Sequence, residues 1–377
     1  MPKRASNEGT IRKRPDGRWE ARYLAGGKRR SIYTHSQEDA KKKLREALHS
    51  LDKGEYIEPS RMTVGTWLDR WYQAYGRPKW RDSTAAIHAD NIRLHIKPAF
   101  EKVLLQKLRT DQIQVFISRQ MEKGLSSASI RKQMEPLKSA LKQAVDNQLI
   151  LRNPADKVSL PTVNQREIEY LTPDEQKVLI PVLIGSTSKR ALKFILLTGL
   201  RASELCGLRW ADIEGDSFTV KQGVQRVRID GETKISIAPP KTKAGWRTIP
   251  LSKVALSILE EEKREQIKQR LMMGEVWQGG VPGQEETFVF SSEVGTPLDR
   301  ANLGRVLRKC LDDAKLKHRG IHALRHTFAT NYVRASKDYR ALSEILGHTK
   351  VAFTIQLYVH SDIGTKRDTL AAIENDF

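Results

Sequence analysis

The sequence predicts a multidomain protein, mainly α with β: an N-terminal three-stranded β-sheet plus a helix, then a helical domain, then a mixed α+β domain. Three observations support this architecture. Short β-prone runs between turn signals come first, helical apolar periodicity follows, and alternating strand patterns return between further helices. The changes of pattern predict domain boundaries at 1–57, 61–157 and 169–377.

The N-terminal module is predicted from its turns. Pro15-Asp16-Gly17 and Gly26-Gly27 are turn sequences, and each separates two β-prone runs. Ser36 follows the last run and can cap a helix that extends to about residue 50, with Asp39 three residues further on. The expected strands are residues 10–14, 19–24 and 29–34.

Residues 61–157 are predicted to be entirely helical. The first helix is indicated by apolar side chains spaced three and four residues apart, which places them on one face that packs into a core. Pro136 lies inside the last helix and is expected to bend or offset it. The apolar stripe of the first helix consists of Val64, Trp67, Leu68, Trp71, Tyr72 and Tyr75. The further helices expected are 84–96, 110–123 and 126–148.

The C-terminal domain is predicted to mix helices and strands. It opens at Thr172-Pro173-Asp174-Glu175, which combines a helix cap, a proline at the first helical position and acidic residues in the first turn. Helical segments continue to about residue 214, strands follow between turn glycines, and helices return afterwards. The expected strands are 218–229, 234–238 and 246–251, and the later helices are 252–272, 299–315 and 322–335.

Composition and charge exclude several classes of protein. The 377 residues include 66 lysines and arginines against 45 acidic residues, a net charge of +21. All apolar runs are shorter than the roughly 18 residues that a transmembrane helix needs, and two cysteines cannot form a disulfide framework. We therefore expect a soluble intracellular protein, without a membrane partner, that binds a polyanion. Residues 1–30 carry ten basic against three acidic residues, and residues 58–166 carry nineteen against ten.

Four short segments of the C-terminal domain concentrate arginine, lysine and histidine. We name them the first arginine segment (198–205), the lysine segment (240–250), the histidine–arginine segment (322–329) and the glycine–histidine segment (346–349). Tyr358 follows the last of them. Each segment alone is compatible with ordinary surface or core residues, whereas the four together describe a site for an anionic substrate.

The side chains of these segments favour a phosphodiester over a metal. His322, Arg325 and His326 share one helix face, and the arginine between the two histidines repels a cation. Arginine forks bind phosphate oxygens bidentately and neutralise charge that grows in the transition state. A tyrosine hydroxyl can attack phosphorus, while lysine and histidine side chains transfer protons. The pattern predicts such chemistry without a metal or other cofactor.

The four segments resemble the signature segments of the tyrosine recombinase (lambda-type integrase) family. The matching runs, in order and at the family's spacing, are Thr198-Gly199-Leu200-Arg201 with Glu204, His322-Ala323-Leu324-Arg325-His326, Leu346-Gly347-His348 and Tyr358. The resemblance implies that Tyr358 attacks DNA, leaving a 3′-phosphotyrosyl link and a free 5′-hydroxyl. The catalytic residues that it implies are Arg201, Lys241, His322, Arg325, His348 and Tyr358, with Glu204 in support.

The resemblance also implies the organisation of the complex. Family members carry an arm-binding module and a helical core-binding domain before the catalytic domain, so 61–157 and 169–377 would encircle a DNA core site. It implies a homotetramer on two DNA sites, an excisionase or a DNA-bending host factor as accessory partner, and integration and excision of a mobile element or prophage in the bacterial cytoplasm, on the host nucleoid. The arm DNA contacts expected are Arg12, Arg14, Arg18, Arg22, Lys28, Arg29 and Arg30.

Two assignments stay open. Lys241 and Lys243 both lie in the lysine segment, which we expect to form a β-hairpin. Lys241 is followed by threonine, as the family's lysine often is, and is favoured as the general acid over Lys243. The tail after Tyr358 is otherwise polar, and we hypothesise that its apolar residues dock on a neighbouring protomer. These residues are Leu370, Ile373 and Phe377.

Two other functions share part of the pattern. A type IB topoisomerase uses the same tyrosine chemistry, but relaxing supercoils needs no N-terminal sequence-reading module. A DNA-binding protein with a decayed catalytic domain, such as a repressor, is disfavoured by the complete set of catalytic residue types. Strand exchange between two specific sites would distinguish a recombinase from a topoisomerase. Covalent trapping on nicked DNA would distinguish it from a DNA-binding protein with a decayed catalytic domain.

Overall fold

The computed structural model describes residues 9–53, 56–163, 168–229, 231–281 and 287–358. The chain forms two compact units that divide after residue 164. The first contains the β-module and the helical domain, and the second contains the mixed domain; the three-domain division itself remains a prediction. The predicted fold class, mainly α with β, is confirmed. None of the helices in the described ranges is long and apolar enough to cross a membrane.

The N-terminal module is the predicted three-stranded sheet with one helix. Its strands pair antiparallel in chain order. Ser36 caps the helix as predicted, because its hydroxyl accepts a hydrogen bond from the backbone N–H of Asp39 at 3.1 Å. The elements are β1 (Thr10–Lys13), β2 (Trp19–Ala25), β3 (Lys28–Thr34) and α1 (Gln37–Asp52).

The two faces of this sheet differ in chemistry. Ala21 of β2 packs with Ala40 and Leu44 of α1 in a small apolar core. Since side chains alternate along a strand, Glu20 and Arg22 lie on the opposite face, away from the helix. Arg12, which is opposite Glu20 in the ladder, shares this face with Glu20 and Arg22.

The helical domain contains the predicted helices around one core. Trp67 of the apolar stripe is 1% exposed, and its indole N–H donates to the carbonyl of Ala140 at 2.8 Å. The helices are α2 (Val64–Trp71), α3 (Asp82–Asn91), α4 (Lys97–Phe100), α5 (Thr110–Glu122) and α6 (Ser127–Asp146). A π-helical turn, Tyr72–Gly76, extends α2, and a second, Ile92–Ile96, joins α3 to α4.

One residue of the predicted stripe leaves the core. Tyr75 is 41% exposed, so its assignment to the buried face of the first helix is wrong. The cause is the π-helical turn, whose wider winding rotates residues after Trp71 away from a 3.6-residue register. Tyr75 instead accepts a hydrogen bond from Asn147 Nδ2 at 3.0 Å.

Helix α6 continues through Pro136 without interruption. Proline has no N–H, so the carbonyl of Lys132, four residues earlier, lacks its usual helical donor. The side-chain amide of Asn91, on α3, donates to this carbonyl at 3.2 Å. A neighbouring helix thus satisfies the group that the proline leaves unbonded, and the chain remains helical.

The second unit alternates helices with short strands, and its first helix begins at the predicted cap Thr172, which forms a capping box with Glu175. Its helices are α7 (Pro173–Val182), α8 (Thr187–Thr198), α9 (Ala202–Gly207), α10 (Lys253–Met273), α11 (Arg300–Asp313), α12 (His322–Ser336), α13 (Tyr339–Leu346) and α14 (Val351–Tyr358). Its strands are β4 (Ile213–Glu214), β5 (Ser217–Val220), β6 (Gly223–Ile229), β7 (Glu232–Ala238) and β8 (Arg247–Pro250). Strands β4, β5 and β8 form one sheet, and β6 and β7 form another.

The prediction of one strand over 218–229 is wrong. The run is divided into β5 and β6, which belong to different sheets. Between them, Gln222 Nε2 donates to the carbonyl of Gly207 at 2.9 Å. The backbones pass so closely here that a Cβ on Gly207 would lie 3.0 Å from the Gly223 Cα. Packing against the end of α9 therefore redirects the strand.

The prediction of a β-hairpin at the lysine segment is also wrong. The segment connects β7 to β8, which pair with different strands, and contains a 3₁₀ turn at Lys243–Gly245. Pro239 and Pro240 follow β7 directly. Because neither proline has an N–H to donate to a ladder, strand pairing stops there.

The core of the second unit surrounds α8. The ring of Phe194 on this helix lies 5.9 Å from that of Phe218 and 5.3 Å from that of Phe290. All three side chains are buried, and α8 also contacts α10, α11 and α12. The C-terminal end of α8 is therefore a fixed point from which the candidate site is built.

Candidate active site

The first arginine segment lies where α8 ends and α9 begins. Gly199 ends α8 with a φ of 67°, a left-handed conformation that favours glycine. A Cβ at this position would lie 2.4 Å from Phe328 Cδ1, so a larger residue requires the ring to move. Arg201 then occupies the N-cap position of α9. The sharp turn at the glycine determines where this arginine enters the site.

Glu204 orders two arginines. It accepts hydrogen bonds from Arg201 Nη1 at 2.7 Å, which confirms the predicted pair, and from the Arg201 backbone N–H at 3.0 Å. Arg247 Nη2 and Nη1 donate to the same carboxylate at 2.8 and 3.2 Å. Burial alone would raise the pKa of Glu204, but hydrogen bonds and charge from Arg247, with the charge of Arg201, lower it to about 2. The ionised carboxylate holds Arg201 while 35% of the arginine side chain stays exposed.

Arg325 joins three of the four segments. It is 4% exposed, and its Nη1 donates to the carbonyl of Gly199 at 2.7 Å. Its Nη2 donates to the carbonyl of Leu346 at 2.6 Å and lies 3.3 Å from His348 Nε2. The planar guanidinium is suited to such a bridge because its N–H groups point in fixed directions. The fold therefore brings the first arginine segment, the histidine–arginine segment and the glycine–histidine segment together.

His348 is held from both sides of its ring. It follows Gly347, which ends α13 with a φ of 65°. The backbone N–H of His348 donates to the carbonyl of Ser343 at 3.0 Å, and its Nδ1 lies 2.8 Å from the hydroxyl oxygen of Thr354. With Nε2 beside Arg325, both ring nitrogens have polar neighbours, so the orientation of the imidazole is set.

The histidines of the site are uncharged at neutral pH. His322, the first residue of α12, is exposed, and desolvation and then the charges of Arg300 and Arg325 lower its pKa. Desolvation, His322 and Arg325 lower the pKa of His326 to about 4. Desolvation followed by the charge of Arg325 lowers the pKa of His348 to about 4 as well. These imidazoles therefore act as neutral hydrogen-bonding groups beside the arginines.

The free energy of unfolding is expected to fall as the pH is lowered from about 6.5 towards 4. His326 and His348 have a pKa of about 4 in the folded protein against an ordinary 6.5, so the unfolded chain takes up protons first. The contribution of the two neutral histidines to the free energy of unfolding is complete above pH 6.5 and declines as the pH falls to 4. Urea unfolding at several pH values measures the slope. A His326→Gln, His348→Asn variant should have a shallower slope, and an unchanged one would contradict the assignment.

The lysine segment approaches the glycine–histidine segment. Arg247 Nε donates to the carbonyl of Ile345, and a Cβ on Gly347 would lie 2.8 Å from the carbonyl oxygen of Ala244. Lys241 and Lys243 are both exposed. The structure therefore leaves both lysines as candidates for the general acid.

Sequence reasoning overlooked Arg247. This arginine is 8% exposed and joins Glu204 to the backbone of Ile345, so it links the first arginine segment to the residue that directly precedes the glycine–histidine segment. A signal was present in β8, where Arg247 and Ile249 alternate with exposed Thr248. That alternation places the arginine on the inward face, where a charged side chain needs a partner.

Tyr358 is the last residue of α14, a helix that packs against α12 and α13. The structure describes its backbone position and not its side chain, so the nucleophile remains a prediction. The tail 359–377, with the hypothesised docking residues, lies outside the described residues. Within the described ranges, no group of three or more histidine, cysteine, aspartate or glutamate side chains is positioned to hold a metal ion.

Two of the predicted arm contacts are organised by a buried carboxylate. The side chain of Glu20 is 2% exposed and accepts hydrogen bonds from Arg12 Nε at 2.7 Å and Arg22 Nε at 3.0 Å. Ser31 donates to it at 2.8 Å. The hydrogen bond from Arg22 is the main cause that lowers the pKa of Glu20 to about 2. Both arginines are therefore held on the sheet face away from α1.

The other predicted arm contacts lie around the ends of the strands. Arg14 and Arg18 are stacked over the ring of Tyr33, with their guanidinium carbons 5.2 and 5.7 Å from its centroid. Tyr33 is 46% exposed on the same sheet face as Glu20, which it directly opposes in the ladder. The remaining predicted contacts lie at the start of β3: Lys28, Arg29 and Arg30.

The arginines, neutral histidines and exposed lysines of the mixed domain are the residue types expected in an enzyme that binds and cleaves phosphodiesters. The model of the phage integrase family matches residues 169–364, just over half of the chain. The model of the phage integrase N-terminal SAM-like domain matches residues 63–121. The chain belongs to the phage integrase family and is a tyrosine-type site-specific DNA recombinase.

The chain is similar in sequence to named relatives and similar in fold to solved structures. The chain is 28% identical over 346 residues to the tyrosine recombinase XerC-like protein of Caldanaerobacter subterraneus subsp. tengcongensis, covering 88% of each. It is 28% identical over 271 residues to the ICEBs1 integrase of Bacillus subtilis, covering 71% of each. The Tn1549 transposon integrase in complex with a circular intermediate DNA has a TM-score of 0.67 at 23% identity, covering 83% of this chain and 99% of that one. A lambda integrase tetramer bound to a Holliday junction has a TM-score of 0.59 at 18% identity, covering 94% and 96%.

Proposed function

We propose that the protein integrates and excises a mobile element or prophage by cleaving DNA with Tyr358. The tyrosine hydroxyl attacks the scissile phosphate, forms a 3′-phosphotyrosyl link and releases a 5′-hydroxyl. Arg201, Arg325 and His348 hold the phosphate oxygens, His322 assists proton transfer, and Lys241 protonates the leaving 5′ oxygen. The phosphotyrosyl link conserves the energy of the broken phosphodiester bond, so another 5′-hydroxyl can displace the tyrosine and reseal the strand without ATP.

The observation that carries this proposal is the joint anchoring of Arg201 and Arg325. Glu204 holds the first through two hydrogen bonds, and the second is bonded to the carbonyls of Gly199 and Leu346. Donors fixed in this way need little reorganisation when charge develops on a phosphate. Electrostatic stabilisation of the transition state by such preorganised donors is usually the largest single contribution to the rate enhancement of an enzyme. The uncharged imidazole of His348, beside Arg325, adds a further hydrogen-bonding group.

The partners that we propose are double-stranded DNA and further copies of the chain. The solved structures similar in fold include a transposon integrase with circular intermediate DNA and a lambda integrase tetramer on a Holliday junction. We propose a homotetramer in which residues 61–157 and 169–377 bind core sites and residues 1–57 bind arm sites. The setting is the bacterial cytoplasm, on the host nucleoid, with an excisionase or a DNA-bending host factor as accessory partner.

Tyr358→Phe is expected to abolish the covalent protein–DNA complex on a nicked suicide duplex made from the element's own end. Phenylalanine keeps the ring but has no hydroxyl to attack phosphorus, so DNA binding in a gel shift should persist. The covalent band is measured on a denaturing gel with wild-type protein and the variant side by side. A band that persists in the variant would place the nucleophile elsewhere.

The same substrates separate the alternative functions. Recombination between two specific sites distinguishes a recombinase from a topoisomerase that only relaxes supercoils. Tight binding by wild-type protein without any covalent band would favour a DNA-binding protein with a decayed catalytic domain.

Lys241→Ala is expected to lower the cleavage rate by about 10²–10⁴-fold, the usual contribution of a general acid, and Lys243→Ala far less. Both lysines are exposed in one segment, so each variant is the matched control of the other. A substrate with a sulfur leaving group at the 5′ position needs no protonation and should restore cleavage to the Lys241 variant. The reverse order of the two variants would assign the role to Lys243.

A further inference from the structure

Helix α14 buries a polar residue and exposes apolar ones. Thr354 is 0% exposed, whereas Val351, Phe353 and Ile355 are 38, 49 and 42% exposed. Among residues 351–356, whose exposure the structure describes, Thr354 alone is buried. This inverts the usual preference of a helix for apolar contacts with the protein. A buried hydroxyl at the contact point requires a partner, and its partner identifies what the residue does.

The partner of Thr354 is a ring nitrogen of the candidate site. Its hydroxyl oxygen lies 2.8 Å from His348 Nδ1. On the same helix, Tyr358 follows four residues later, so the two residue positions lie on one face of α14. The hydrogen bond therefore connects the imidazole to the helix that ends at the predicted nucleophile.

We propose that Thr354 is a positioning residue, which orients the imidazole of His348 through Nδ1 and anchors helix α14 at the site. This inference rests on the proposed function, in which His348 contacts the scissile phosphate and Tyr358 attacks it. It adds a role for a residue outside the four segments and outside the set of implied catalytic residues.

A hydroxyl suits this position because it can both donate and accept. Arg325 carries only N–H donors, so His348 Nε2 accepts from it and Nδ1 carries the proton, which it donates to Thr354. When Nε2 donates to a phosphate oxygen instead, exchange with water has moved the ring proton from Nδ1 to Nε2, and Nδ1 becomes an acceptor. The threonine hydroxyl then rotates and donates. One side chain thus supports the ring in both tautomers without moving α14.

The test compares Thr354→Val with Thr354→Ser in the full-length protein. Valine keeps the shape and removes the hydroxyl, whereas serine keeps the hydroxyl and removes a methyl group. We expect the valine variant to form the covalent complex about tenfold more slowly at saturating protein, the scale of one lost hydrogen bond, with unchanged DNA affinity. The serine variant should recover most of the rate.

A second threonine-to-valine variant and a spectroscopic readout distinguish positioning of His348 from a general effect of removing a hydroxyl. Thr219→Val removes a hydroxyl that pairs with Thr248 at 2.9 Å in the β5–β8 sheet, and should leave cleavage unchanged. With ¹⁵N-histidine labelling, the ring nitrogen shifts of His348 should report Nδ1–H in the free wild-type and serine proteins and a changed tautomer population in the valine protein.

The outcomes separate this inference from the function on which it rests. Wild-type rate and wild-type ring shifts in the valine variant would overturn the inference, as would a serine variant as slow as the valine one. Cleavage that survives Tyr358→Phe would overturn the proposed function whatever the Thr354 variants do. If Tyr358→Phe abolishes cleavage and Thr354→Val cleaves at the wild-type rate, the proposed function stands and only the positioning role of Thr354 is overturned.

Discussion

Arg325→Lys is expected to lower the rate of DNA cleavage by about 10²–10³-fold, the loss typical of removing one preorganised donor from a transition-state site. Lysine retains the charge but has a single nitrogen, and it cannot bond the carbonyls of Gly199 and Leu346 together as the guanidinium does. The first arginine segment and the glycine–histidine segment would lose the side chain that joins them. The phosphate would lose a cation held in a fixed position. Covalent complex formation in a single turnover, at saturating protein, measures the effect.

Arg190→Lys is the matched control for this prediction. Arg190 is 5% exposed, about as buried as Arg325, and its Nε donates to Glu262 at 2.7 Å between α8 and α10. The control should lower stability without a comparable loss of cleavage by the folded protein. Equal losses in both variants would point to damaged folding, and wild-type cleavage by the Arg325 variant would remove its role in the site.

Arg247→Met is expected to lower the free energy of unfolding by about 3–5 kcal/mol, because breaking a buried ion pair leaves an incompletely compensated charge. The side chains of Arg247 and Glu204 are 5 and 10% exposed, so water screens them little. Arg247 also bonds the carbonyl of Ile345, which ties the end of α13, just before the glycine–histidine segment, to β8. Urea unfolding at neutral pH measures the loss.

A double-mutant cycle with Glu204→Gln tests whether the pair is the cause. The double variant should be less destabilised than the sum of the single variants, with a coupling of about 0.5–3 kcal/mol, since neither charge is then left without its partner. The pKa of Glu204 is about 2 against an ordinary 4.5, so the pair's contribution is present above pH 4.5 and lost as the pH falls towards 2. Arg247→Met should weaken that acid dependence. Additive single effects would contradict the coupling.

Local signals predicted most of the secondary structure. The caps at Ser36 and Thr172 and the stripe that buries Trp67 each depend on residues within a few positions, where helix geometry alone decides which groups meet. Errors arose where the winding of a helix changed or a distant element intervened. Tyr75 leaves the core after a π-helical turn, and Gln222 redirects a strand by bonding the carbonyl of Gly207.

In the candidate site too, contacts between near neighbours in the sequence could be predicted, and contacts between distant residues could not. The pairing of Arg201 with Glu204 could be predicted because three residues separate them on one helical turn. The alternation of β8 marks Arg247 as inward-facing, but its partner could not be assigned, since Glu204 lies 43 positions earlier in the chain. The inversion of burial at Thr354 was equally hidden, because periodicity marks its apolar neighbours as the inward residues.

The sequence by itself determined the fold class, the basic charge of the N-terminal region and the residue types of the four segments, since composition, periodicity and short-range spacing are properties of the linear chain. Only the tertiary structure decided how the site is held together. Arg325 spans backbone groups 126 and 21 positions away, and Arg247 reaches Ile345 across 98. Contacts of that range depend on how α8, α12 and β8 pack, because a buried charge is stable only where the folded chain supplies its partners.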